Sequence, residues 1–288
     1  MKSSRNSWCA FRIKLTSTGK PWKVPLGEAR PSALLLGNCG RYPQDSSQHD
    51  RQDVDIPLQM PCSKSFAQRA IICAALADGV SHLRGYTPCG DNEAALDVAK
   101  ALGADVQLDG STITIKGVAA SRGLLSGLGA GDHATVHVGE SGLLARMIIP
   151  LMAQLHEGPV EVTGEKTLLK RPLTGAREIL EVFGCEILRF AQDDKESTQD
   201  DRKSAQGDVQ IPLAVKGPLK SGGRVVISGK HGSQLITGLL MALSFAEKNT
   251  TLVVNDPKSI PYIFITLEVL KKFGVKIGNE MLGGREFL

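Results

Sequence analysis

The stretch SKSFAQRAIICAALADGVSHLRG, residues 63–85, begins with polar residues, continues as an apolar run of helical length and ends in an alternating segment. Its apolar part has no polar face, and a helix of that kind belongs in the interior of a protein. The alternation in VSHLRG is typical of a strand with one buried face. The stretch therefore predicts a buried helix that leads into a strand, with hydroxyl and basic side chains where the helix begins.

The same pattern occurs twice more, in ESGLLARMIIPLMAQLHEGPVEVTG (140–164) and GSQLITGLLMALSFAEKNTTLVVN (232–255). Each copy is followed by an amphipathic segment that ends at a glycine, the usual left-handed stop of a helix. These segments are ALDVAKALGADV (95–106), AREILEVFGCEI (176–187) and LEVLKKFGVKI (267–277). We expect an α/β fold of three compact units, in which three apolar helices pack together and are covered by sheets. An ordinary doubly wound α/β fold is the alternative.

The composition is that of a globular protein and excludes several classes of function. Hydrophobic residues make up 42% of the 288 residues and charged residues 22%, and no apolar run approaches the roughly 18 residues that a membrane span needs. The positive charge belongs to residues 1–50, which hold eight basic and three acidic residues, whereas the other 238 hold 26 and 27. We therefore expect neither a membrane nor a nucleic acid as partner. Cysteines and histidines lack metal-ligand spacing, and no nucleotide-binding glycine motif or serine-hydrolase elbow occurs.

Two segments show no pattern of regular structure. Residues 1–52 mix basic residues, serine, proline and glycine, which predicts a disordered or poorly structured basic extension, with an organelle transit peptide as the alternative. Residues 189–208 are charged and nearly free of apolar residues, which predicts a solvated surface insertion. The folded part is thus expected over residues 53–288, with this insertion inside it.

Polar residues collect at the starts of the three apolar helices. If these helices run parallel, their free N–H groups and partial positive charges converge and form an anion site. The residues at the three starts are Ser63, Lys64, Ser65 and Arg69, then Ser141, Gly142 and Arg146, and finally Ser233 and Gln234. An alternative is that the three serines are ordinary N-caps. Their common register, together with the added basic side chains, favours a site for a phosphate or carboxylate.

Two of the basic side chains need a partner, and a third precedes a proline. Arg69 and Arg146 lie one turn inside apolar helices, where an unpaired charge is costly. Their partner is either an anionic ligand or an acid of the protein, and Glu140 is such an acid for Arg146. Arg171 stands before Pro172, and proline is favoured where a helix begins. Arg171 is either a bidentate ligand of phosphate or carboxylate or a solvated surface arginine.

A similar arrangement occurs in SIPYIFIT (259–266), where Pro261 stands beside Ser259 and Tyr262. These residues again place polar groups where a helix is predicted to begin. We therefore include Ser259 and Tyr262 in the candidate anion site.

Five motifs in this order resemble the 3-phosphoshikimate 1-carboxyvinyltransferase (EPSP synthase) family, over about residues 53–280. They are PCSKSFAQR (61–69), GESGLLAR (139–146), KRPLTGAREIL (170–180), HGSQLITGLLMAL (231–243) and SIPYIFITLEVLKKFGV (259–275). The resemblance implies one lobe of the inside-out α/β fold of enolpyruvyl transferases, with repeated βαβαββ units around parallel buried helices. It also implies transfer of the enolpyruvyl group of phosphoenolpyruvate to the 5-hydroxyl of shikimate 3-phosphate. That reaction passes through a tetrahedral intermediate, releases phosphate and uses neither a metal nor an organic cofactor.

The resemblance also implies roles for nine residues. Lys64 is the catalytic residue and contacts both substrates. Phosphoenolpyruvate is served by Gly142 and Arg171, and Gln234 lies between the two substrates. Shikimate 3-phosphate is held by Ser65, Arg69, Ser233, Ser259 and Tyr262.

The chain departs from the family pattern in three respects. Cys62 replaces a smaller residue, and Gly232 replaces the first of two serines, so that one phosphate contact is lost. The chain ends at Leu288, near the end of one lobe, so the second lobe, with the family's general-base aspartate, is expected to be absent. Catalysis in the family depends on closure of the two lobes. We therefore expect the chain to bind shikimate 3-phosphate weakly and to turn over negligibly.

Other functions remain as alternatives. The related UDP-N-acetylglucosamine enolpyruvyl transferase lacks the combination of Ser-Lys-Ser and a later arginine with Arg-Pro. A truncated, catalytically inactive lobe that binds shikimate 3-phosphate only is the alternative from another class. In either case we expect a cytoplasmic monomer with small-molecule substrates.

Overall fold

The computed structural model describes residues 10–16, 22, 33–35, 61–120, 125, 128, 134–188 and 208–282. The predicted surface insertion lies outside the described residues except for Asp208, and so does most of the predicted extension over residues 1–52.

Three four-stranded sheets share one topology, in which the first two strands pair in parallel and the others pair antiparallel. The first sheet has the order β2 (Ala33–Leu35), β3 (Val80–Arg84), β5 (Thr112–Lys116) and β4 (Asp105–Asp109). The second has the order β6 (Ala134–His137), β7 (Val160–Thr163), β9 (Leu213–Lys216) and β8 (Glu186–Leu188). The third has the order β10 (Gly223–Ser228), β11 (Thr250–Asn255), β1 (Ala10–Leu15) and β12 (Ile277–Leu282).

Each sheet accompanies two helices, so that the described part of the chain forms three related units. The helices are α1 (Lys64–Leu76), α2 (Gly90–Ala101), α3 (Gly142–Leu155), α4 (Ala176–Val182), α5 (Gln234–Leu243) and α6 (Ile260–Lys272). The first two units follow the chain as βαβαββ, which confirms the predicted repeat. The predicted glycine stops are also confirmed, since Gly103, Gly184 and Gly274 have φ of 100°, 70° and 78°. None of the helices that the structure describes is long and apolar enough to cross a membrane.

The apolar helices α1, α3 and α5 form the core, as the absence of a polar face predicts. Every residue of α5 from Leu235 to Leu243 is buried, and so is every residue of α1 from Ala67 to Leu76. Helices α3 and α5 touch at Gly238, where an added Cβ would lie 2.6 Å from Cγ of Pro150. The inside-out arrangement is thereby confirmed, and the doubly wound alternative, which places helices outside a single sheet, is wrong.

The predicted lack of structure over residues 1–52 is wrong for Ala10–Leu15. This segment forms β1 between β11 and β12, where Ile13 pairs with Leu252 and Asn279. In the first two units the corresponding strand follows within the unit, whereas the third unit takes it from near the N-terminus. The side chains of Phe11, Ile13 and Leu15 are buried, and burial of such a side chain contributes about 1.5–3 kcal/mol.

The adjoining Trp22 is also part of the folded protein. It is buried, its Nε1 donates to Oγ of Ser244 over 3.1 Å, and its ring stacks on Phe245 with centroids 4.2 Å apart. These contacts connect the N-terminal segment to the end of α5.

The predicted helix start at Pro172 is also wrong. Residues Lys166–Lys170 form a short 3₁₀ helix with Arg171 as its C-cap, and α4 begins only at Ala176, after Gly175 with φ of 75°. Buried Leu173 forms a bridge with Val209. This pairing holds the chain extended at the point where the proline alone would favour a helix.

Candidate functional site

A cavity of about 410 Å³ lies at the N-terminal ends of α1, α3, α5 and α6. Six of the nine predicted site residues line it, namely Ser65, Arg69, Ser233, Gln234, Ser259 and Tyr262. Leu143, Arg146, His231 and Gly232 complete the lining, and none of these described lining residues is acidic. Because helix N-termini carry partial positive charge, the cavity is suited to an anion.

Arg69 is a buried cation at this cavity and has only neutral hydrogen-bond partners in the described structure. Its Nε donates to Oγ1 of Thr266 over 2.9 Å, its Nη2 to Oγ1 of Thr237 over 2.9 Å, and its Nη1 to the carbonyl of Ser65 over 2.6 Å. The side chain is almost fully buried, and this burial lowers its pKa to about 10. Arg69 therefore stays charged at neutral pH, and a bound anion in the cavity would compensate that charge.

The two threonines that hold Arg69 connect three helices. Thr237 of α5 and Thr266 of α6 have their Oγ1 atoms 2.9 Å apart, and both are completely buried. Each hydroxyl also donates to the carbonyl four residues earlier, that of Ser233 or Tyr262. The network thus fixes the first turns of α5 and α6 against Arg69 of α1. Sequence reasoning missed both threonines, although a hydroxyl in an apolar helix was a signal that could have revealed them.

Arg146 is a second cation at the cavity, and its side chain is partly buried. Its Nη1 donates to the carbonyl of Gly142 over 3.0 Å and its Nη2 to the carbonyl of Pro172 over 2.8 Å. Burial, and then the charge of Arg171, lower the pKa of Arg146 below its ordinary value. The alternative of a pair with Glu140 does not occur, because backbone carbonyls bind this guanidinium and Glu140 accepts a hydrogen bond from Thr167.

Gly142 and Arg171 do not line the cavity but lie beside Arg146. An added Cβ on Gly142 would lie 3.2 Å from Nη1 of Arg146, so the glycine leaves space for that guanidinium. Nη2 of Arg171 donates to Oγ1 of Thr167 over 2.6 Å, and Thr167 in turn donates to Glu140. This last bond lowers the pKa of Glu140. Arg171 is thus an exposed arginine with one hydrogen bond to the protein, an arrangement that fits both the ligand role and the alternative of a surface arginine.

Lys64 also lies outside the cavity lining. Its Nζ is 2.9 Å from Oδ2 of Asp91, in the first turn of α2, and its side chain is 61% exposed. The hydrogen bond to Asp91, followed by the charge of that carboxylate, raises the pKa of Lys64. The predicted catalytic ammonium is thus paired with a carboxylate of the protein.

The three N-cap serines differ from one another. Ser63 accepts from the N–H of Phe66, and Ser141 accepts from the N–H of Leu144. Ser141 also donates to Gln68 of α1 over 2.8 Å, which joins the N-terminal parts of α1 and α3. Ser233 makes no capping bond with its side chain. The N-cap interpretation therefore applies to the first two serines, while the hydroxyl of Ser233 is available to a ligand.

The sequence shows no ligand spacing around His231, but the structure places this histidine at the cavity. Its position two residues before Ser233 was the only local signal. Within the described ranges, no group of His, Cys, Asp or Glu side chains could hold a metal ion.

Comparison with known proteins gives one consistent family. The family described as EPSP synthase (3-phosphoshikimate 1-carboxyvinyltransferase) matches residues 49–283. The 3-phosphoshikimate 1-carboxyvinyltransferase of Methanococcus maripaludis is 32% identical over 241 residues, which cover 80% of this chain and 51% of that protein. The protein of the same name from Methanocaldococcus jannaschii is 31% identical over 223 residues, which cover 76% of this chain and 46% of that protein.

Among solved structures, EPSP synthase from Acinetobacter baumannii aligns with 84% of this chain and 43% of its own chain. The sequence identity is 19% and the TM-score 0.49. The chain spans about half the length of the curated relatives that it matches.

Proposed function

Because the chain belongs to the EPSP synthase family, we propose that its cavity binds shikimate 3-phosphate for enolpyruvyl transfer from phosphoenolpyruvate to the 5-hydroxyl. The reaction releases phosphate. The observation that carries the proposal is the buried guanidinium of Arg69. Its hydrogen-bond partners among the described residues are all neutral, and none of the described residues that line the cavity is acidic. A multiply charged phosphate ester supplies the anion that this arrangement favours.

The cavity residues would hold shikimate 3-phosphate in a defined orientation. The hydroxyls of Ser233, Ser259 and Tyr262 and the first turns of α5 and α6 would bind its phosphate. Ser65 and Arg69 would bind other polar groups of the same ligand. Support comes from the free hydroxyl of Ser233 and from the way in which two threonines orient Arg69.

Phosphoenolpyruvate would bind next to this cavity, where Gly142 and Arg171 lie beside Arg146. Gln234 would lie between the two substrates, and Lys64 would contact both after its ammonium leaves Asp91. Preorganised cations stabilise the charge that develops as the enolpyruvyl group is transferred. The hydrogen bonds of Arg146 to two backbone carbonyls would keep this second subsite in place.

The experiment is a pair of measurements on the purified chain. Shikimate 3-phosphate is titrated calorimetrically, and phosphate release is then assayed with phosphoenolpyruvate present. Arg69→Met is the binding-deficient variant, because it keeps an unbranched side chain and removes the cation. Binding by the wild type that is lost in Arg69→Met supports the site, and absence of binding by the wild type refutes it.

The phosphate assay separates the full reaction from the alternative of a binding-only lobe. Release that depends on both substrates supports enolpyruvyl transfer by this chain. Binding without release supports the alternative of a catalytically inactive lobe. The proposal includes a monomer in a reducing, cytoplasmic compartment, which the free cysteines Cys62, Cys73, Cys89 and Cys185 suit.

A further inference from the structure

His231 lies at the cavity, where the sequence motifs assign no role to it. It belongs to the loop before α5, its side chain is exposed, and no hydrogen bond joins it to another described residue. Its ring packs against Gly175, where an added Cβ would lie 2.5 Å from Cδ2 of His231. Because Gly175 has φ of 75°, a position that favours glycine, the turn leaves a defined place for the imidazole.

Gly232, the residue after His231, leaves room for a ligand beside this imidazole. It also lines the cavity, and an added Cβ there would meet no atom within 4 Å. Ser233 follows with its hydroxyl uncommitted to the helix cap. A phosphate that contacts Ser233 and the first turn of α5 would therefore reach the neighbourhood of His231.

Several charged or titratable groups surround the imidazole. Arg69, Arg146 and Tyr262 line the same cavity, and Lys230 precedes His231 in the loop. Asp208 accepts a hydrogen bond from Thr174, next to the contacting Gly175. The loop carbonyl of Gly229 accepts from the N–H of Lys258, whose ammonium pairs with Asp256. A phosphate dianion bound among these groups would favour a positive charge on the imidazole.

We propose that His231 is a further phosphate-binding residue of this cavity, which binds the ligand as an imidazolium and so couples binding to proton uptake. The inference rests on the proposed function, and it adds a residue and a pH dependence to that site. Histidine changes charge between about pH 5 and 8, within the range in which a phosphate ester is largely anionic.

The sign of the effect follows from linkage. A bound dianion raises the pKa of a nearby histidine, so the added affinity is fully present below the free-state pKa and is lost above the bound-state pKa. The ligand loses charge as well, because a phosphate ester takes up a proton near pH 6. That loss is common to all variants of the protein, and a comparison between variants therefore isolates the contribution of His231.

The experiment measures shikimate 3-phosphate binding calorimetrically at about pH 6 and about pH 8.5. In the His231→Gln variant, the dissociation constant should rise about three- to fivefold relative to the wild type at the lower pH. It should rise less than about 1.5-fold at the higher pH, as for an exposed ion pair. Repeating the titrations in buffers with different ionisation enthalpies should show greater proton uptake by the wild type than by the variant.

Two further variants make the result decisive. His82→Gln removes a histidine of β3 that is bonded to Thr114, and it should bind like the wild type at both pH values. His231→Lys keeps a cation at every pH, so it should restore affinity at the higher pH. Binding with the same pH dependence in the wild type and His231→Gln overturns this inference alone. Absence of binding by the wild type overturns the proposed function and this inference with it.

Discussion

Replacing Thr266 by valine removes a buried hydroxyl that contacts three other polar groups. Oγ1 of Thr266 accepts from Nε of Arg69, lies 2.9 Å from Oγ1 of Thr237 and donates to the carbonyl of Tyr262. Valine has nearly the same shape, so the change removes hydrogen bonds with little change in packing. Because the site is completely buried, water cannot replace the lost acceptor, and the guanidinium is left with one unsatisfied N–H.

The size of the effect follows from the charge of the donor. A hydrogen bond to a charged group contributes about 1.5–3 kcal/mol, and a buried group left without its partner loses a similar amount. We therefore expect Thr266→Val to lower the free energy of unfolding by about 2–3 kcal/mol. With a urea m-value of about 3 kcal/mol/M, the unfolding midpoint falls by about 0.7–1 M.

Urea unfolding, followed by circular dichroism and tryptophan fluorescence, measures this change. Thr135→Val is the matched control, because Thr135 bonds to Glu161 on the exposed face of β6. The control should change the free energy by less than about 0.5 kcal/mol. The double variant Thr237→Val/Thr266→Val should depart from additivity by at least about 0.5 kcal/mol, since the two hydroxyls are in contact.

An effect of Thr266→Val as small as that of the control would contradict the role of Thr266 as a buried acceptor for Arg69. It would mean that Arg69 finds another acceptor or that its guanidinium is solvated. The argument for a ligand anion at this site would then weaken as well, because the charge of Arg69 would no longer be buried among neutral partners.

The other two predictions concern the N-terminal strand and the ion pair of Lys64 with Asp91. Phe11→Ala should lower the free energy of unfolding by about 3–5 kcal/mol, because Phe11 is buried and its ring packs edge-on against Phe264. The control Lys14→Ala, on the exposed face of the same strand, should change the free energy of unfolding by less than about 0.5 kcal/mol. Equal effects of the two substitutions in urea unfolding would contradict the placement of β1. Asp91→Asn should tighten shikimate 3-phosphate binding about two- to fivefold at low salt, because it removes a carboxylate that neutralises Lys64. The control Asp97→Asn, which breaks the pair with Lys100 on the same helix, should leave the dissociation constant unchanged. Weaker binding by Asp91→Asn in the same titration would contradict the prediction and show that Asp91 helps to bind the ligand.

The candidate site was partly predictable because the first turn of a helix is a local feature. Ser65, Arg69, Ser233 and Gln234 were found from their register at the starts of apolar helices, and the structure places all four at one cavity. Lys64 has the same register, yet its ammonium pairs with Asp91 outside the cavity lining. Register identifies the turn on which a residue lies but not the direction of its side chain, which depends on neighbouring elements.

The position of His231 at the cavity could not be predicted from the sequence. A single histidine in a polar loop has no periodicity or spacing that distinguishes a ligand-facing ring from a solvated one. Its placement follows from contact with Gly175, which is 56 positions away in the chain and belongs to another unit. No local pattern records that contact.

The three repeated units, the buried helices and the glycine stops could be predicted from the order of the amino acids, because hydrophobic periodicity and left-handed termini act within a few residues. The position of Ala10–Leu15 beside strands more than 230 positions later, and the bonds of Arg69 to Thr237 and Thr266, became known from the three-dimensional fold. Those pairings depend on which surfaces meet once the chain has collapsed. Backbone partners in a sheet and acceptors for a buried cation are chosen by proximity in space, and local sequence carries no record of that proximity.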